Sequence, residues 1–140
     1  MRTNQWLSER LSHLHRTYFT DIEIKNAVLV KFGRKSKGRL GSIIARPAKG
    51  FTLPVTYITI NSLFKDEIVP DYVIEATLAH EFVHYSHGFH SPLERKYKFP
   101  HKGDIVNKDI RARGMGELLD RQNVWLKKEY TQFLKRNKML

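Results

Sequence analysis

The apolar residues of this chain change period at Pro70-Asp71, and that change constrains the fold to a strand-rich part followed by a helical one. Before it, Thr56-Tyr57-Ile58-Thr59-Ile60 alternates as a half-buried strand does. After it, Val73, Ile74, Leu78 and Phe82 follow helical spacing until Gly88 can end the helix, with Asp71 read as its N-cap. Further upstream, Trp6, Leu7, Leu11, Leu14 and Tyr18 form the stripe of an amphipathic helix from Thr3 to about Tyr18. The run Ala27-Val28-Leu29-Val30 reads as a first strand and Leu40 to Arg46 as a second. The glycines and cations of Gly33 to Gly38 suggest a hairpin between them, so the three strands are expected to form an antiparallel meander. Beyond a loop from Ser91 to Pro100, helices are expected over Gly103–Arg113 and from Val124 to about Phe133. The expectation is an α+β fold in one domain, residues 1–140, a length typical of single domains.

Composition narrows the chemistry. The chain has no cysteine, which excludes disulfides, thiolate zinc sites, iron–sulfur clusters and cysteine nucleophiles. Any metal must be held by histidine, carboxylate or water. No apolar run approaches the ~20 residues of a membrane helix. The stretch after Met1-Arg2-Thr3-Asn4-Gln5-Trp6 is amphipathic and charged rather than an apolar signal core, so a cytoplasmic protein with no membrane partner is expected.

Inside the central helix stands His80-Glu81-Phe82-Val83-His84. Residues four apart share a helical face, so both imidazoles project the same way and can share one metal ion. Glu81, beside the first histidine, is placed to act as general base toward a water on that metal. Two histidines and a glutamate are costly to bury in an apolar helix without such a purpose.

A catalytic zinc normally takes three protein ligands and leaves one position open. The third ligand must come from beyond the helix, and three residues compete. His90 has the spacing of a metzincin ligand, but His87 stands where that pattern needs glycine. Asp104 lies twenty residues after His84, a separation used by the glutamate of thermolysin-like enzymes, although its flanks differ. His101 follows Pro100 at the start of the next expected helix. Tyr85, Tyr97 and His87 lie close enough in sequence to be weighed as oxyanion-stabilising groups. Each has an ordinary structural reading instead, and none is assigned a catalytic role. His13 and His15 are read as surface residues.

Thr77-Leu78-Ala79-His80-Glu81-Phe82-Val83-His84, followed after a loop by His101-Lys102-Gly103-Asp104, resembles the SprT-like zinc metallopeptidases, the family of the Spartan protease domain. The order of a helix, three strands and then the motif helix is similar as well, and the resemblance spans roughly residues 15–120. It implies a zincin-like fold of the minigluzincin type, Zn2+ as cofactor, and His101 as third ligand beside His80 and His84. It also implies a zinc-dependent endopeptidase with Glu81 as general base, acting on a protein or peptide substrate. In some relatives proteolysis is stimulated by DNA and directed at proteins trapped on it.

Charge bears on the same point. Lys and Arg total 25 against 14 Asp and Glu, a formal net charge of +11, which favours phosphate-rich partners. Lys31, Arg34, Lys35, Lys37 and Arg39 surround the expected hairpin, and Arg95, Lys96 and Lys98 crowd the loop before His101. These eight are candidate nucleic-acid contacts, with Phe32, Tyr97 and Phe99 as stacking aromatics for single-stranded or damaged DNA. The competing reading is a non-enzymatic basic nucleic-acid-binding module with a structural zinc site. Glu81 speaks against it, because a closed four-ligand site has no use for a base. A metal hydrolase acting on something other than peptide is a third reading.

Overall fold

The computed structural model describes residues 1–140. Its elements are α1 (Asn4–Tyr18), β1 (Val28–Phe32), β2 (Gly41–Arg46), β3 (Val55–Ile60), α2 (Asp71–Ser86), α3 (Ile105–Ala112), α4 (Gly116–Lys128) and α5 (Tyr130–Arg136). A 3₁₀ turn at Ser62–Lys65 follows β3, and another at Lys102–Asp104 precedes α3. This is an α+β arrangement of five helices and one three-stranded sheet.

Helix α2 is buried on nearly every side, with polar residues as well as apolar ones among those enclosed. It packs against β2, β3, α1, α3 and α4. Leu7, Leu11 and Leu14 of α1, Ile58 and Ile60 of β3, Ile74, Leu78 and Phe82 of α2, Ile110 of α3 and Trp125 of α4 belong to one buried cluster. The sequence motif is therefore carried by the most enclosed element of the molecule.

The sheet is not a meander. Its strand order is β1-β3-β2, with β1 parallel and β2 antiparallel to β3. The Gly33–Gly38 segment is no hairpin turn, because β1 and β2 never touch in the sheet. It carries the chain around the C-terminal end of β3 instead. Gly33 N–H donates to Ile60 O at 2.9 Å on one side, and Asn61 N–H donates to Leu40 O at 2.9 Å on the other. Asn61, 4% exposed, secures the crossing with its side chain. Its Nδ2 donates to the carbonyls of Ser36 and Arg39, and its Oδ1 accepts from Leu63 N–H at 3.1 Å. Gly41 begins β2 so close to α2 that a Cβ there would lie 2.7 Å from Thr77 Cγ2.

Three smaller expectations change. Asp71 is the first helical residue rather than the N-cap, which is Pro70. Its carboxylate is taken by the buried Arg2 guanidinium at 2.6 Å, which also donates to the carbonyls of Phe64, Asp66 and Val69. His15 is half-buried, with Nε2–H donating to Ile22 O at 2.7 Å and its ring packed on Phe82; His13 is exposed. The C-terminal helix expected over 124–133 is two helices, starting at Gly116 and Tyr130. The buried Gln122 interrupts the apolar spacing of α4, donating from Nε2 to Val73 O and Thr77 Oγ1, both at 2.9 Å.

Candidate metal centre

His80 and His84 lie one turn apart on α2 and face the same way, as their spacing requires. The chain leaves the helix at Gly88, whose φ of +85° suits glycine and whose absent Cβ lets Glu94 O approach. It returns at His101, which precedes the second 3₁₀ turn. His84 Nε2 is 3.1 Å from His80 Nε2 and 3.0 Å from His101 Nε2, and the ligating atoms of all three lie within 4.8 Å of one another. These three residues are close enough together to bind one metal ion.

The other two contenders for third ligand are engaged elsewhere. His90, with φ +54°, lines a cavity together with these three histidines, but its Nδ1 accepts from Ala45 N–H at 3.3 Å. Asp104 Oδ1 accepts from Asn107 Nδ2 at 2.9 Å.

The electrostatics suit a cation. Burial, with the neighbouring His101, lowers the pKa of His80 to about 4. Burial and the surrounding histidines lower that of His84 to about 3. Both rings are therefore neutral near pH 7 and offer lone pairs. His84 Nε2 faces two other imidazole nitrogens and can donate at most one proton between them. Two of the three nitrogen pairs, at 3.1 and 3.0 Å, have the close spacing that ligands to one small cation require.

Glu81 points from the same turn, 5% exposed, with Oε2 buried and unpartnered. Burial raises its pKa to about 7, partly countered by the charge of Arg39. A cavity of about 400 Å³ opens over these groups. It is bounded by Arg39, Gly41, Ser42 and Ile43 on one side and Phe89, His90, Pro100 and His101 on the other. A smaller cavity of about 250 Å³ behind Glu81 is lined by Thr77 and Gln122.

The three aromatic or cationic residues set aside on sequence have structural partners. Tyr85 is buried, its hydroxyl donating to Asn26 Oδ1 and accepting from Lys25 N–H. His87 is 2% exposed and donates from Nε2 to Asp109 Oδ2 at 2.6 Å. Tyr97 packs its ring on His87.

The basic candidates separate into two groups. Arg34, Lys35 and Arg39 line one cavity, while Lys37 is exposed and its carbonyl accepts from Tyr130 OH. Lys31, on β1, lies over the ring of Tyr57 on β3. Arg95, Lys96 and Lys98 do not line that cavity. The Arg95 guanidinium donates to the carbonyls of Tyr97 and Lys98 and stacks over Phe89. Of the aromatics, Phe32 is in the core, and exposed Phe99 is flanked by Lys98 and Lys102.

Asn61 and Gln122 escaped sequence reasoning. A lone asparagine after an alternating strand is a turn-forming signal and could have flagged Asn61. No local signal marks Gln122. No helix is long and apolar enough to cross a membrane. Against models of known families, curated proteins and solved structures the chain finds no match, so its residues alone carry the functional assignment.

Proposed function

We propose that this chain is a zinc-dependent endopeptidase with a zincin-like, SprT-like domain, in which His80, His84 and His101 hold the metal and Glu81 is the general base. The observation that carries the reading is the convergence of three imidazole Nε2 atoms beside a buried carboxyl. An all-nitrogen set of three suits zinc, and no fourth protein side chain joins it, which favours a catalytic over a closed structural site. Bound there, zinc would polarise a carbonyl oxygen and lower the pKa of water toward ~7.

The chain's own groups supply the rest. Glu81, with a pKa near neutrality, takes a proton from the attacking water and passes it to the amine nitrogen as the C–N bond breaks. Strand β2 is an edge strand, and Ala45 N–H is already occupied by His90. By the two-residue repeat of a strand, Gly41 and Ile43 turn their backbone groups the same way, toward the cavity. An extended substrate pairing there would be held by its main chain, leaving any sequence preference to the side-chain cavities beside the strand. The net charge of +11 supports association with DNA as a route of recruitment.

The test is zinc content together with cleavage of casein, with and without single-stranded DNA. One zinc per chain and cleavage abolished in Glu81→Gln are expected, with the variant keeping its zinc. A chain that binds no zinc overturns the proposal. Zinc with no cleavage under any condition leaves a binding module.

A further inference from the structure

A second and larger cavity, of about 570 Å³, adjoins the histidine cavity and has no apolar side chain in its lining. Arg34, Lys35 and Arg39 border it on one side and Ser42, Thr59 and Asn61 on another. The two cavities share Arg39, Gly41 and Ser42, so they meet over the beginning of β2. None of the ion pairs in the molecule uses Arg34, Lys35 or Arg39.

The loop that carries these cations is pinned. Asn61 Nδ2 holds the carbonyls of Ser36 and Arg39, Asn61 N–H holds that of Leu40, and Tyr130 OH holds that of Lys37 at 3.0 Å. A chain that fixes a loop on four of its carbonyls, while Arg34 and Lys35 have no ion-pair partner and Arg39 has only the more distant Glu81 carboxyl, has prepared a place for an anion.

We infer that this cavity is the subsite for an acidic side chain of an extended peptide, beside the bond presented to the histidine centre; the inference rests on the peptidase reading above. The strand register gives it a direction. Ser42 pairs with Thr59 and Ile43 with Ile58, so the Ser42/Thr59 face is opposite the one on which Ile58 enters the core. A chain paired along β2 sends alternate side chains to the two faces, and those on the Ser42/Thr59 face reach the cations. Arginine forks and hydroxyl donors match a carboxylate well. A nucleic-acid strand fits less well, since base stacking needs aromatic faces and no aromatic lines the cavity.

Binding to the full-length, zinc-loaded Glu81→Gln protein tests this without turnover. Fluorescein-labelled ten-residue peptides would carry one glutamate, moved position by position, with glutamine as the control at each place. Glutamate should tighten binding about tenfold at alternate positions only. The preference should fall below about twofold in Arg34→Ser/Arg39→Ser. It should persist in Arg16→Ser/Lys108→Ser, which removes the same charge from α1 and α3. Equal affinity for glutamate and glutamine at every position overturns the inference. So does a (dT)15 oligonucleotide whose binding alone is lost in Arg34→Ser/Arg39→Ser. Cleavage that depends on Glu81 without any glutamate preference sinks the subsite and spares the peptidase. Glutamate preference in a protein that cleaves nothing does the reverse.

Discussion

His84 and His87 stand three residues apart at the end of one helix, both buried, and they live in opposite environments. His87 meets a carboxylate: Asp109 accepts its Nε2–H at 2.6 Å and is itself held by Arg113, which reaches on to Asp21 and Tyr18 O. That chain of contacts ties the end of α2 to α3 and to the segment after α1. His84 meets only other imidazoles on its Nε2 side, and its Nδ1 has no partner. The first arrangement gives Nε2 an anionic partner, although the Nδ1 of His87, like that of His84, has none. The second leaves buried nitrogens facing one another, which a cation between them would resolve. One residue type thus serves as a fastener in one place and stands open to a cation in the other, and the surroundings decide which.

The largest effect is expected at His84. His84→Ala should weaken zinc binding by more than about 100-fold, beyond the 10–100-fold that loss of a supporting partner costs. Competition with a chromophoric chelator measures it, and tight zinc in this variant would dissolve the contrast. Asp109→Ala should act on the other side, lowering unfolding stability by about 2–3 kcal/mol in urea titrations, because it strands His87 and frees Arg113. Its zinc affinity should stay within about tenfold of the parent.

Acid separates the two regions further. In the metal-free chain the pKa values of His80 (about 4) and His84 (about 3) lie below the ~6.5 of a free histidine. The unfolded chain then binds more protons in that window. Stability falls as pH drops from about 6.5 toward 4, by up to about 1.4 kcal/mol per pH unit for each proton. Hydrogen bonds from His87 and Arg113 hold the Asp109 carboxyl below its ordinary range, and Arg113 does the same for Asp21. Their contribution is complete above about pH 4 and is lost only below it. Urea midpoints across pH should show both stages, and His84→Asn should flatten the upper one alone. The smallest effect is expected at His101, which is exposed. His101→Ala should change metal-free stability by less than about 0.5 kcal/mol while losing most of the zinc affinity. A large loss of metal-free stability would make His101 a structural residue.

The helical half was legible because its signals are local. The His80–His84 spacing places both rings on one face in any helix, and the apolar run around it foretells burial. Bringing His101 to them depended on a loop whose path no periodicity describes. The sheet shows the opposite case. Each strand was visible from its β-branched residues, but their order was not, since pairing is settled by contacts distant in sequence. Glycines and cations between β1 and β2 resemble a hairpin connection, and only the buried Asn61 side chain reveals why the segment spans the end of β3. In α4, Gln122 occupies a core position that a hydrophobic pattern reserves for an apolar residue.

The sheet order β1-β3-β2 has a consequence for how the molecule assembles. The central strand, on which both neighbours depend, is the last of the three to leave the ribosome. Until residues 55–60 emerge, β1 and β2 have no native sheet partner, and each presents two open edges. A hairpin could close within microseconds of synthesis, whereas this sheet must wait for a distant segment and a parallel pairing, which is slower. The interval exposes Val28–Phe32 and Gly41–Arg46 to pairing with other chains, so nascent-chain crowding rather than the finished structure is where this fold is most open to aggregation.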